Sequence, residues 1–378
     1  MRFRSFGRLL GPLHQPCSRA DRAKPPDAVL PMLFSGKSCG FFVEFNEYAT
    51  LVARTSSLDS PLVVEQIREL PAGPIAAVAP VLDELAGGRR SGYRHAVCSI
   101  YPEQRFIRRA ALDTKRMKDA GYLDELLVTQ FRAEPDKMTL AIMAAQDGQL
   151  LDAANLMTKE VLFCGSFTED FSKAQTELLA AGIYPERLEM GSVATLGAMV
   201  NILALQECKT PTLVLELGRE STQCYIVNNE GIDLARPIPH GVNSMIPVVH
   251  KELGLKDEEA AARLLFSNSF DFTAMGPVLV KRLLKELQSS IGFYEVQTGQ
   301  SIGQLLCTIL PVNLSWLTST LSSALGVGGF ELKLAPWLEK QGIKFADAQE
   351  LAKANASWLG LLSLMSRNRP VAIAHEAK

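Results

Sequence analysis

No two of the seven cysteines, at positions 17, 39, 98, 164, 208, 224 and 307, stand close enough to make a C-x-x-C pair, and their number is odd. This argues against a disulfide framework and a cysteine metal site. It reads instead as a reduced, cytosolic set of small core residues. The five histidines are scattered, with no H-x-x-x-H or H-E-x-x-H spacing, so a metal centre has no support. An excess of one charge is also missing. The chain has 39 Lys+Arg against 41 Asp+Glu, whereas a dedicated nucleic-acid binder carries a large basic excess. There is no G-x-S-x-G, no G-x-G-x-x-G after a strand, and no acid–His–nucleophile grouping. Gly36-Lys37-Ser38 imitates the end of a Walker A loop, but Pro31 stands where the first glycine is required and a strand is expected to follow.

Long hydrophobic runs are absent too. Val296 to Phe330 is a stretch of 35 residues without a charged side chain. A membrane span needs ~20 mostly apolar residues, and here Gln, Ser, Thr and Asn interrupt at every turn while Gly299, Gly303 and Pro311 break the run. The stretch is better read as a buried strand over Leu305–Leu310, a loop, and a buried helix over about Trp316–Leu325. Gly191–Gln206 is too short to span and carries Ser192, Thr195 and Asn201.

What is present is a globular composition, 47% apolar over 378 residues, enough for roughly two to three domains at ~150 residues each. The near-neutral total hides an asymmetry. Arg2, Arg4, Arg8, Arg19, Arg22 and Lys24 stand against Asp21 alone, so residues 1–24 carry +5 and the other 354 carry −7. Residues 1–32 read as a basic, disordered tail. It is either an electrostatic arm for anionic lipid or an acidic partner, or a plain leader.

One pattern occurs twice. Cys39–Glu47, Tyr48–Arg54 and Leu62–Leu70 are strand-like runs separated by turn residues. Thr212–Glu220, Ser221–Asn228 and Ile232–Ile238 repeat the arrangement. Each set reads as a three-stranded antiparallel meander whose first strand ends in an acidic residue and a turn, and helices follow both. Between them, Arg94–Tyr101 and Arg105–Leu112 read as a strand pair. A helix over about Lys115–Leu127, strands over Val128–Arg132 and Lys137–Gln146, and a helix over about Leu150–Glu160 follow. Ser166-x-x-Glu169 is a capping-box pattern. The expected fold class is α/β, in two related lobes with an inserted α+β module.

This duplication resembles the actin and sugar-kinase superfamily, and within it the family of PilM, the cytoplasmic actin-like protein of type IV pilus assembly, and FtsA. Glu216-Leu217-Gly218-Arg219-Glu220-Ser221-Thr222 looks like that superfamily's second phosphate loop, usually D-x-G-x-x-x-T. Ile232–Gly241 looks like the family's third strand with its R-x-I-x-x-G ending. Leu178–Glu189 is similar to the helix–strand passage closing the first lobe, and Glu286–Tyr294 to the helix written E-I-x-R-S-L-x-F-Y. The module carrying Arg105 to Arg109 matches the small subdomain of PilM and FtsA in place and size. The likeness runs over about residues 39–370.

The resemblance implies an actin-like, ribonuclease H-like duplication. Its expected parts are a first lobe over 33–208 with an insertion at about 93–147, a second lobe over 209–340, and a C-terminal helix within 341–378 returning to the first lobe. It implies ATP with Mg2+ as ligand, and Glu44, Asn46, Glu216, Gly218, Ser221, Thr222 and Glu286 as nucleotide-binding residues, with Glu189 placed to orient water. The loops depart from the pattern. Asn46 stands where a glycine is expected, Glu44 and Glu216 stand where Asp is usual, and the expected adenosine loop, Leu310–Leu317, has no glycine. The glutamates are alternatively strand-end carboxylates facing a solvated cleft. The loop departures favour a scaffold with weak or lost ATP binding over an active ATPase or small-molecule kinase.

As a scaffold, the chain is expected in the cytoplasm, peripheral at the inner membrane. It would hold the N-terminal cytoplasmic peptide of a PilN-type bitopic membrane protein between the first lobe and the insertion. Other pilus platform proteins and self-association are further implied contacts; nucleic acid is not. A GspL-type cytoplasmic module shares the fold and is the remaining reading.

Overall fold

The structure, a computed structural model, describes residues 40–366 apart from 57–60, 89–91, 120, 147 and 154–155. The basic tail expected over 1–32 and the Gly36-Lys37-Ser38 triplet lie outside the described residues. The first strand, β1 (Gly40–Phe45), carries Phe41, Phe42 and Val43, each 3% exposed or less. A run apolar on both faces has to lie in the middle of a covered sheet, and β1 does. It pairs antiparallel with β2 (Ala49–Thr55) and parallel with β4 (Arg94–Ile100). β2 then pairs antiparallel with β3 (Leu62–Pro71). β9 (Ile183–Met190) and β15 (Ile343–Phe345) complete a six-stranded sheet in the order β15-β3-β2-β1-β4-β9.

The second lobe repeats the pairing. β10 (Thr212–Leu217) is antiparallel to β11 (Thr222–Asn228) and parallel to β13 (Gln304–Ile309). β11 is antiparallel to β12 (Gly231–Ile238), and β14 (Gly328–Gly329) closes the five-stranded sheet β12-β11-β10-β13-β14. Glu44 and Glu216 hold corresponding places, one residue before the end of each central strand.

The insertion forms a four-stranded sheet, β5 (Phe106–Ala111), β6 (Met138–Ala144), β7 (Leu150–Leu151) and β8 (Glu160–Phe167), ordered β5-β8-β6-β7. Its bounds differ from the expected 93–147. Arg94–Ile100 belongs to the six-stranded sheet, because it pairs with β1 and β9. The small sheet also extends through β8, beyond residue 147. Ser166 is still in β8, opposite Thr139, and makes no capping box; its hydroxyl donates to Asp170 instead. The insertion also touches the second lobe. The Arg109 guanidinium donates to the Ile232 carbonyl and the Asp233 carboxylate, and the Ile232 N–H donates to the Ala145 carbonyl.

The helix Gly191–Leu205 packs against the C-terminal helix Leu359–Ser366, β9, β11 and β12. Nine of its fifteen residues are buried, because a helix enclosed by both lobes has no polar face to keep. This accounts for the apolar stretch that is too short for a membrane span. Leu359–Met365 is buried residue by residue, against β1, β4 and the Gly191–Leu205 helix. None of the described helices is long and apolar enough to cross a membrane.

Candidate functional site

Among the described residues, two places bring together side chains that could bind a ligand. The first is the cleft between the two hairpin turns. The turn after β1 is closed by Asn46, whose N–H donates to the Ala49 carbonyl while its Oδ1 accepts from Tyr48 N–H (3.0 Å) and Ala49 N–H (2.9 Å). Three backbone donors of this turn are thereby committed within it. Asn46 Nδ2 also donates to Glu44 Oε1 at 3.1 Å. Glu44 is only 1% exposed. Burial pushes its carboxyl up to about 8 against the Asn46 hydrogen bond, while the Glu216 charge adds to the rise and the Tyr101 hydroxyl opposes it.

The turn after β10 is built by Gly218, whose N–H donates to the Ser221 carbonyl. A Cβ at Gly218 would lie 2.6 Å from that carbonyl oxygen and 2.7 Å from Glu47 Oε1, so only glycine fits. Thr222 spends its hydroxyl on the His240 carbonyl at 2.7 Å. Glu216, 1% exposed, accepts at Oε2 from Arg105 Nε (3.0 Å), Ser192 Oγ (2.7 Å) and Tyr225 OH (3.3 Å). Burial works against the Arg105 charge, and nearby carboxylates, Glu216 foremost, raise its proton affinity above the usual guanidinium value. Both glutamates are therefore buried rather than set in a solvated cleft.

The two turns also meet each other. Arg219 N–H donates to Glu47 Oε2 at 2.6 Å, and Tyr48 OH donates to the Leu217 carbonyl at 2.7 Å. The Arg219 guanidinium lies over the rings of Tyr48 and Phe266. Beside this contact a cavity of about 290 Å³ is lined by Tyr48, Phe266, Pro311 and Asn313, among others. Trp316 does not line it; its ring stacks on Phe272. Glu286 is paired with Arg236 at 2.8 Å. Glu189 pairs with Arg187. Among the described residues no group of three or more His, Cys, Asp or Glu is placed to hold a metal ion.

Sequence reasoning brought Glu44, Asn46, Glu216, Gly218, Ser221 and Thr222 to the two turns. It missed Glu47, Tyr48, Tyr101 and Arg105. Arg105 meets Glu216 across 111 residues of sequence, and no local spacing announces such a pair.

The second place is a groove of about 360 Å³ between the Gly191–Leu205 helix and the face of the small sheet. Met143 and Leu162 form one wall, Leu196, Gly197 and Val200 the other, and Asn201 adds an amide. The space above Gly197 is open, since a Cβ built there meets nothing within 4 Å. Gln146, Asn229 and Ser366 also line it, so the trough offers apolar side chains beside polar groups, which suits an extended segment that is apolar on one side and keeps its backbone hydrogen-bonded on the other.

No protein-family model matches the chain. No curated protein matches it either. Solved structures do. The PilM-PilN type IV pilus biogenesis complex aligns at 20% identity with a TM-score of 0.63, over 87% of this chain and 98% of the other. The ethanolamine utilization protein EutJ from Carboxydothermus hydrogenoformans aligns at 11% identity and a TM-score of 0.43, over 86% and 90%. The cytoplasmic domain of EpsL, an inner-membrane component of the Vibrio cholerae type II secretion system, aligns at 8% and 0.36, over 76% and 95%. With its mixed sheets in two lobes, the chain has the α/β actin-like ATPase fold.

Proposed function

We propose that this chain is a cytoplasmic scaffold in the assembly platform of a type IV pilus or a related secretion machine, and that its groove holds the N-terminal cytoplasmic peptide of a PilN-type membrane protein. The groove carries this reading. It lies between the first lobe and the insertion, where the resemblance puts a peptide, with Asn229 and Ile232 of the second lobe at its edge, and most of its lining side chains are apolar. The likeness to the PilM-PilN complex over nearly the whole of both chains supports it. An extended peptide would seat alternate apolar side chains in the trough and leave its polar backbone to Asn201 and the rim. Attachment through such a partner would bring the protein to the inner membrane without a spanning helix among the described residues. Calorimetry with the synthetic cognate peptide tests this, with micromolar or tighter binding expected; no binding to well-folded protein would sink the reading.

The cavity of about 290 Å³ beside Pro311 and Asn313 favours a second reading, an active ATPase or small-molecule kinase. Melting with and without millimolar Mg-ATP separates the two. A nucleotide at ~100 times its Kd stabilises by ~2.7 kcal/mol, and the scaffold reading expects no shift.

A further inference from the structure

We propose that the turn after β10 is an oxyanion seat whose ligand is a carboxylate of this same chain, Glu47, so that the cleft between the lobes is held shut from within. The seat has the parts an oxyanion needs. Arg219 N–H donates to Glu47 Oε2 at 2.6 Å, a short bond from a backbone donor to an ionised carboxylate, the charge-assisted kind. Glu47 Oε1 rests against Gly218, where a Cβ would come within 2.7 Å of it. Arg105 Nη1 stands 3.9 Å from the same oxygen. A backbone N–H, a glycine that lets the anion approach, and a cation behind it are what receives phosphate oxygens in a turn. Here a side chain from the opposite lobe already fills the place.

The surroundings reinforce the closure. In the first turn the Asn46, Tyr48 and Ala49 N–H groups are already committed within the turn, so that turn offers a phosphate few donors. Below the seat, Arg105 is committed to Glu216, and both side chains are 1% exposed. Glu44 and Glu216 are buried, which leaves them badly placed to share a hydrated Mg2+ that keeps several of its waters. Tyr48 OH on the Leu217 carbonyl and the Arg219 guanidinium on the Tyr48 ring tie the same two turns together. A polyphosphate would have to displace Glu47 and part these contacts, so a magnesium nucleotide does not fit the cleft as it stands. This inference is independent of whether the groove takes a peptide.

The test uses the full chain, its Glu47→Ala and Glu47→Gln variants, and inorganic tripolyphosphate as probe. In wild-type protein the Arg219 amide proton is expected downfield and slow to exchange, with no heat of binding at millimolar tripolyphosphate. E47A is expected to move that proton upfield and to bind the probe at least tenfold more tightly than wild type, the amide returning downfield as the probe binds. E47Q, which keeps an acceptor but no charge, is expected to fall between. Wild type binding as tightly as E47A, or a folded E47A that neither binds nor shifts the amide, overturns the proposal. Should E47A fail to fold, the wild-type amide decides, and a proton that exchanges freely with solvent overturns the proposal too.

Discussion

Arg105 reaches from the start of the insertion to Glu216 on the central strand of the other lobe, 3.0 Å away, with both side chains 1% exposed. A pair this dry is a poor source of net stability but a costly one to break, since removing one partner leaves a buried charge uncompensated. Arg105→Met should therefore destabilise the protein by ~3–5 kcal/mol, read from urea unfolding. Adding Glu216→Gln to Arg105→Met should restore a large part of the loss. Costs that simply add would show that the two residues are not coupled.

Glu44 gives a pH dependence of definite sign. Its carboxyl is raised from an ordinary 4.5 to about 8, first by burial and then by the charge of Glu216, while Asn46 and Tyr101 oppose the shift. Arg105 is the cation in the same cluster, paired with Glu216. Between those two pH values the folded chain holds a proton that the unfolded chain has released, so its contribution to stability is full at low pH and is lost as pH climbs towards 8. Glu44→Gln, permanently neutral, should flatten this slope and melt higher than wild type at pH 8 and above. An unchanged melting profile across pH 5–9 would contradict the buried-acid account.

Two helical glycines should respond in opposite directions to the same change. A Cβ at Gly360 would run into the Glu44 carboxylate and the Tyr101 hydroxyl, whereas one at Gly292 meets nothing within 4 Å. Gly360→Ala should cost ~1–3 kcal/mol by overpacking. Gly292→Ala, inside the Lys281–Thr298 helix, should gain ~0.5–1 kcal/mol. Thermal melts of the two variants check both signs.

Much of the fold is legible from local pattern. The two meanders follow from apolar runs broken by turn residues, and the uncharged stretch does become β13 and the helix Trp316–Leu325. The misreadings lie where neighbouring structure, a helix or a strand partner, overrides local preference. Val128–Arg132 reads as a strand because Val, Thr and Phe favour one, yet the helix Tyr122–Phe131 runs through it to Arg132, a left-handed cap at φ 54°. Residues 150–160 read as a helix, but Leu150 and Leu151 pair with Met143 and Ile142, and β8 begins at Glu160. The cleft was legible as a place and not as a state. Asn46 and Gly218 mark the turns, but nothing near Glu47 in sequence says that its carboxylate ends on Arg219.

The central claim is that the groove beside Gly197 takes a peptide, and calorimetry of the cognate PilN-type N-terminal peptide against wild type and Gly197→Phe tests it most directly. Gly197 lines the groove and the space for its Cβ is open, so a phenyl ring there occupies the trough. The account predicts micromolar or tighter binding to wild type, and a loss of at least about tenfold, ~1.4 kcal/mol, in the variant at unchanged fold. Equal binding by both proteins, or by neither, would contradict it.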